Sequence, residues 1–363
     1  SNDPGKDAFL LANASDDEDA TNDYLNLEAN GFRPKGGHAV NSHGKKYVYI
    51  AIRRGPMAVP EDATDVFAMD TLGGTSPTPP AWNSGFPVDM GIYRLRNSTS
   101  NFILNSRLNQ GKRLMTNATN AESTESAAQF DYMNGYYNSS SVNSNYISWM
   151  WRRAPNYFDV VAYTGNGTSG HTVSHNLGVA PEMMWIKRRD AVKEWNVYHS
   201  GIGNTKWLKL NDTDSTGGGS SRWNNTSPTD TNFTLGDAQT VNISGGDYIA
   251  YLFASLDGVS KVGSYTGDGT TNSTKVIDCG FSSGARFVLI KSSSLVHDWY
   301  VFDTERGIVA GNDPALQLNT TSAELSNNDL IDPDNSGFIV GTSFTSMLTF
   351  NQSNETYIFY AIA

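Results

Sequence analysis

A single cysteine, Cys279, stands in 363 residues, so no disulfide can form within the chain. A lone cysteine of this kind reads as a small buried residue. Charge is also scarce: Asp, Glu, Lys and Arg make up 17% of the sequence, below the roughly 25% of ordinary soluble domains. Basic residues are the rarer sign, 26 Lys and Arg against 37 Asp and Glu, for a net charge of −11. A duplex binder needs a basic face that releases counterions from phosphate, so nucleic acid is not an expected partner. The same balance argues against an anionic membrane surface. No apolar run approaches the ~18 residues of a membrane-crossing helix, and no signal peptide is visible. The chain opens Ser1-Asn2-Asp3-Pro4 without a Met.

The missing charge is replaced by 35 Asn, 38 Ser, 31 Thr and 34 Gly, residues suited to turns and exposed strand faces. Low charge with low hydropathy can mean disorder, but 8 Trp, 17 Tyr and 16 Phe are too many aromatic rings for that.

Internal repetition sets the architecture. Four segments share one ending: Tyr47-Val-Tyr-Ile-Ala-Ile52, Tyr146-Ile-Ser-Trp-Met-Trp151, Tyr248-Ile-Ala-Tyr-Leu-Phe253 and Tyr357-Ile-Phe-Tyr-Ala-Ile362. Their first tyrosines stand 99, 102 and 109 residues apart. Such runs predict strands buried on both faces. Upstream of each ending comes Asn13-Ala-Ser, Asn117-Ala-Thr, Asn211-Asp-Thr or Asn319-Thr-Thr, each after a short apolar strand. These are expected to be Asx or Ser/Thr turns rather than glycosylation acceptors. A Phe follows in each unit: Phe32, Phe130, Phe233 and Phe338. The last two units also share an opening, Tyr163-Thr-Gly-Asn-Gly167 and Tyr265-Thr-Gly-Asp-Gly269. Then come Met183-Met-Trp-Ile-Lys187 and Phe287-Val-Leu-Ile-Lys291, with Trp195 and Trp299 eight residues beyond the lysines. The second unit keeps a worn copy, Met90-Gly-Ile-Tyr-Arg94 and Phe102.

The expected organisation is therefore all-β: tandem antiparallel β-sandwich-like modules of about 100 residues. Residues 1–55 are the C-terminal half of a truncated module, with more chain expected before Ser1. Residues 56–79 read as a Pro/Gly-rich linker, 80–156 as a divergent module, and 157–256 and 257–363 as full modules. Repeats that touch only their neighbours should stack into a stiff rod, and deleting 257–363 should leave the rest folded. Asn117–Gln129 is read as loop.

The strings Val161-Ala-Tyr-Thr-Gly-Asn-Gly167, Leu177-Gly-Val-Ala-Pro-Glu-Met-Met-Trp-Ile-Lys187, Trp195-Asn-Val-Tyr-His199 and Trp223-Asn resemble a repeated β-domain of unknown function in virion proteins of marine bacteriophages. Those proteins are labelled tail fibre or structural protein. The segment Trp149–Val161 resembles the junction between successive copies, whereas the linker and the divergent module depart from the pattern. The resemblance implies an extracellular virion protein, a tail fibre-like rod that attaches to a host surface glycan or protein. It implies a homo-oligomer, a trimer by analogy, with other virion tail proteins as partners. It carries no catalytic signature, so no enzyme and no cofactor are expected. Two other classes stay open: a capsid-surface, collar or baseplate component without receptor binding, and the binding part of a polysaccharide depolymerase.

Individual constellations yield little chemistry. Gly280-Phe-Ser-Ser-Gly284 matches a nucleophile elbow, but a strand rather than a helix follows, so a turn is expected. Asp332-Pro-Asp-Asn-Ser-Gly337 resembles a calcium loop but has Ser343 where the bidentate Glu belongs, so it too reads as a turn; Asp16–Asp19 is a second acidic loop. His171, His175 and His199 could supply three nitrogens to a metal, without an evident acidic partner, and are read as polar surface residues. The carboxylate pairs Glu122 with Glu125 and Asp298 with Asp303 have no spacing that marks a glycosidase. Among the aromatics, Trp195 and Trp299 are expected in the core. Trp207 and Trp223, with Arg222 and Asn224 on the Gly217–Trp223 loop, are the candidate ligand-binding residues, a ring platform amid hydrogen-bonding groups.

Overall fold

The aromatic and β-branched runs that close the last three repeats become the central strands of three antiparallel sheets. The computed structural model describes residues 11–12, 14–17, 24–28, 31–34, 39–51, 58–72, 78–139, 142–270, 275–326, 328–341 and 350–363. Expectations for Asn13, Glu18, Asp19, the Gly73–Pro77 stretch and Ser343 lie outside them. Among the described residues the fold is all-β and sandwich-like, with no α-helix, only three-residue 3-10 turns such as Ala63–Asp65 and Arg107–Asn109.

Each full unit repeats one sheet. An opening strand (Phe67–Asp70, Phe158–Thr164 or Ser260–Thr266) pairs with the closing strand (Tyr146–Trp151, Asp247–Phe253 or Thr356–Ile362). The closing strand pairs on its other edge with the inner strand (Met90–Leu95, Met183–Arg188 or Phe287–Ser292). A fourth strand follows the inner one: Ile103–Ser106, Asn196–His199 or Tyr300–Asp303. A smaller sheet lies outside each main sheet, for example His171–Ser174 with Asn232–Leu235.

Two expectations change here. The linker 56–79 holds the opening strand of the second unit: Phe67 pairs with Trp151 as Phe158 pairs with Phe253 and Ser260 with Ile362. Its Pro/Gly-rich composition conceals Val66-Phe67-Ala68-Met69, which has no Gly-x-Gly turn after it to announce a strand. In the first unit, Leu25–Glu28 and Gly31–Pro34 form a hairpin. However, Tyr47–Ala51 is exposed and joins no ladder among the described residues, because no strands flank it there.

Side chains on the main strands alternate between two cores, which is why these runs are apolar on both faces. In the third unit Met184 and Ile186 face an outer core with Val173, Trp223 and Phe233, whereas Met183 and Trp185 face inward. The inward core is shared by all three units: Phe67, Trp149 and Trp151 belong to one cluster with Trp185 and Phe253 and with Phe287 and Tyr360. Ring centroids lie 5.3 Å apart for Phe67 and Phe287, 5.6 Å for Trp151 and Phe287, and 5.1 Å for Phe253 and Tyr360.

The units do not stack as a line. They close on one another cyclically, and three bonds recur in every seam. Between the third and second units, Lys187 Nζ donates to Thr119 O (3.2 Å), Lys193 N to Thr119 O (2.9 Å) and Glu122 N to Arg189 O (2.8 Å). Between the fourth and third, Lys291 Nζ donates to Thr213 O (3.1 Å), His297 N to Thr213 O (3.0 Å) and Thr216 N to Ser293 O (2.9 Å). Between the second and fourth, Arg94 Nη2 donates to Thr321 O (3.4 Å), Ser100 N to Thr321 O (3.0 Å) and Glu324 N to Arg96 O (2.9 Å). The result is an approximate threefold arrangement within one chain. The expected rod of neighbours-only contacts therefore fails for these three units, since the second bonds directly to the fourth. Arg286 ties the two ends of this body together, donating to Ala363 O (2.7 Å) and Phe67 O (3.4 Å).

Candidate functional site

The four candidate ligand residues lie together at the outer side of the third unit. Lys206–Trp207 pairs with Gly217–Gly218, and a Cβ at Gly217 would stand 2.3 Å from the Trp207 ring, so only glycine allows that approach. The Arg222 guanidinium sits 4.4 Å from the Trp207 ring centroid, a cation–π contact. Its Nε donates to Asn196 Oδ1 (2.9 Å) and its Nη1 to Ser221 Oγ (2.9 Å). Burial pushes the Arg222 pKa below the usual guanidinium range. The Trp207 ring is thus covered by Arg222 and Gly217 instead of being open for stacking.

Trp223 corrects the sequence reading. It is fully buried, its Nε1 donating to Lys206 O (2.9 Å) and its ring meeting Tyr198 edge-on at 5.8 Å. An indole with that much apolar area is better placed in the outer core once its N–H has a partner. Asn224 and Asn225 both adopt the left-handed conformation at φ 51°, which Asn tolerates, and Ser169 Oγ donates to Asn224 Oδ1 (3.3 Å). What remains exposed around them is a rim of Gly218, Gly219, Ser220, Asn225, Thr226 and Ser227. Such a rim offers hydroxyl and amide hydrogen bonds, with the exposed Lys206 paired to Gly218 beside it.

The other candidates are tied into the framework. Glu122 takes both ends of the Arg189 guanidinium across a seam (2.8 and 3.2 Å). Glu125 accepts from Arg113 and from the Tyr137 hydroxyl. Asp298 accepts from Gln317 (2.6 Å) and Asn319 (2.8 Å). Asp303, fully buried, accepts from Trp149 Nε1 (3.0 Å) across a seam and from Arg306 Nε (2.6 Å). His171 meets Asn242 Oδ1 (3.0 Å) and His175 meets Thr229 O (3.1 Å). Among the described residues no three His, Cys, Asp or Glu side chains are grouped to hold a metal ion. Gly280–Gly284 is a turn between strands, and Asp334 Oδ1 closes the Asp332–Gly337 turn by accepting from Ser336 N (2.8 Å). Cys279 is buried, and burial pushes its thiol up to about 12. Trp195 and Trp299 are core residues, as expected.

Sequence reasoning missed the seam groups. Lys187 and Lys291 are fully buried, and loss of water pushes both down to about 8. Arg94, at the same repeat position, is pushed down to about 10 by burial. A cation ending each apolar inner strand was the available signal, because a buried charge must find several acceptors. Lys187 finds Thr119 O, Arg188 O and Ala191 O; Lys291 finds Thr213 O, Ser292 O and Leu295 O. His199, also buried in a seam, is pushed down to about 4 by burial. Its Nδ1 accepts from Gly201 N (3.0 Å), which leaves the ring proton on Nε2, 3.4 Å from Phe359 O.

The class is defined by this geometry: an all-β protein of tandem sandwich units closed into one body, with its candidate carboxylates and histidines bound into the framework. The chain belongs to the DUF7483 family, a domain of unknown function, whose model matches residues 62–363. That span coincides with the cyclic body and starts ahead of the strand Phe67–Asp70. No curated protein matches the chain.

Proposed function

We propose that the chain is a non-enzymatic virion structural protein, a tail fibre-like component whose repeated β modules attach the particle to a host surface glycan or protein. The observation that carries this reading is the cyclic closure of three units through one repeated set of bonds. It makes a stiff scaffold, and its candidate carboxylates and histidines serve as fastenings. The exposed rim around Asn225, rich in Gly, Ser, Asn and Thr, is the kind of hydrogen-bonding surface that suits a sugar or a protein backbone. Many weak contacts of this kind, presented on several copies, add up to firm attachment. In this reading the protein is extracellular, assembles as a homo-oligomer, most simply a trimer, and contacts other virion tail proteins.

The same closure also favours a second reading, a capsid-surface, collar or baseplate component, because a body closed on itself tiles a surface as readily as it extends a shaft. Electron microscopy of the assembled particle, with this chain traced in the map, separates the two. Copies running along an appendage that leaves the tail support the fibre. Copies tiling a shell or ringing a collar would remove host attachment from the proposal.

A further inference from the structure

The three seams share one cation cradle, and one of the three cations has a nitrogen left over. In each seam a buried cation donates to the carbonyl of the next residue, to that of the residue four places on, and to a threonine carbonyl of the neighbouring unit. Lys187 uses Arg188 O, Ala191 O and Thr119 O, and Lys291 uses Ser292 O, Leu295 O and Thr213 O. An ammonium has three N–H bonds, and the three carbonyls take them all. Arg94 repeats the pattern with two of its nitrogens. Its Nε donates to Leu95 O (2.8 Å), and its Nη2 to Ser98 O (3.2 Å), Thr321 O (3.4 Å) and Ser322 O (2.8 Å).

The remaining nitrogen, Nη1, is buried and has no acceptor among the described residues, and Arg94 as a whole is 0% exposed. A buried charged donor without an acceptor is costly. The Phe102 ring lies against the flat side of the guanidinium, 4.6 Å from Cζ to centroid, so an acceptor for Nη1 belongs in the guanidinium plane. Charge adds to the need. Arg94 keeps its proton well above the pH at which Lys187 and Lys291 give up theirs, and Arg306 adds a like charge nearby. Glu324, the carboxylate whose charge reaches Arg94, is held by Arg306 Nη1 (3.2 Å). Two residues along, Arg96 Nε is a second buried nitrogen without an acceptor. Ser98, Thr321 and Ser322, whose carbonyls hold Nη2, are themselves exposed, so a small ion reaches this seam from solvent without unfolding the body.

We propose that the seam between the second and fourth units is a binding site for one small monovalent anion, of the size and charge of chloride, seated in the plane of the Arg94 guanidinium on Nη1. Such an ion accepts from every N–H that points at it and brings the negative charge that the carbonyls do not supply. A dianion would overcompensate a single guanidinium that already feels Glu324. The site belongs to this seam alone of the three, because lysine in the same cradle leaves no donor over. The ion would thereby fasten the one contact that closes the ring between units not adjacent in sequence.

The test melts the full chain at fixed ionic strength while chloride replaces methanesulfonate. Binding to the folded state alone should raise the Tm by about 2 °C at roughly ten times the Kd, for a body of this size. Arg94→Lys, which can make the same three carbonyl bonds as Lys187 and Lys291, should melt without that dependence. Crystals of the parent chain soaked in bromide should show an anomalous peak within hydrogen-bond reach of Arg94 Nη1. A Tm indifferent to chloride overturns the proposal, as does a bromide map with water or the Glu324 carboxylate at Nη1. A chloride shift of equal size in Arg94→Lys overturns it too, because the ion would then sit elsewhere. Should Arg94→Lys fail to fold, the bromide map of the parent chain decides by itself.

Discussion

Asn117, Asn211 and Asn319 each fix a strand from a distance. Their Oδ1 atoms accept from the backbone N–H of Phe102 (2.9 Å), Trp195 (2.8 Å) and Trp299 (2.9 Å). The expected local turn is present, with Ala118 N to Met115 O at 3.3 Å and Thr320 N to Gln317 O at 3.0 Å. The side chain, however, serves the neighbouring strand, where that amide has no ladder partner. Asn211→Ala should destabilise the fold by about 1–3 kcal/mol, the cost of orphaning a half-buried amide, read by denaturant unfolding. His199 makes a second residue-scale prediction. Its folded pKa is about 4 against an unfolded value near 6.5. The unfolded chain therefore takes up the proton first as pH falls. Stability from this group is complete above pH 6.5 and is lost progressively down to about pH 4, on the order of 3 kcal/mol in all. Asp313 acts oppositely: burial raises its pKa to about 6, so its protonation favours the folded state over part of the same range. The measurement must therefore compare His199→Asn with the parent chain between pH 7 and 4. Equal slopes for the two would refute the assignment.

At the scale of the element, the inner strands end in buried cations that double as seam fasteners. Lys187→Met keeps the length and apolar stem but leaves three carbonyls, Thr119 O, Arg188 O and Ala191 O, without their donor. A loss of about 1–3 kcal/mol is expected, with faster amide exchange at Lys193, whose own bond goes to Thr119 O. No loss of stability would mean that water replaces the ammonium without cost. The strands themselves were legible in the sequence, because an aromatic and branched run buried on both faces leaves no polar position. Trp195 and Trp299 were legible because they recur at one repeat position. The opening strand Phe67–Asp70 was not, since four residues without a turn signal look like linker. Trp223 was misread because a Gly/Ser-rich approach says nothing about where the ring at its end points. The seams were invisible for a different reason: most of their acceptors are backbone carbonyls, which leave no mark on composition or spacing.

For the whole molecule, cyclic closure makes the three units interdependent. Trp195 Nε1 donates to Met115 O and Trp299 Nε1 to Lys209 O, both at 2.9 Å. The seam between the second and fourth units has Phe102 at that position and uses Thr116 Oγ1 to Leu318 O (2.9 Å) instead. Removing residues 257–363 would expose Phe67, Trp149, Trp151 and Phe253, at roughly 1.5–3 kcal/mol for each large side chain returned to water. Set against a net stability of about 5–15 kcal/mol, that loss should leave 62–256 without a cooperative transition, where a neighbours-only stack would keep one. Calorimetry on the full chain should correspondingly show one transition for residues 62–363, and separate melts of the individual units would contradict the shared core.

Arg286 has a mechanical consequence. One guanidinium holds the carbonyl of Phe67, at the entry to the body, and that of Ala363, at its exit. The polypeptide thus comes in and goes out at nearly the same point, after some three hundred residues of travel. Tension applied between the two ends would load that clip before it strained any sheet, and the body would hang from the line of force like a bead on a loop of thread.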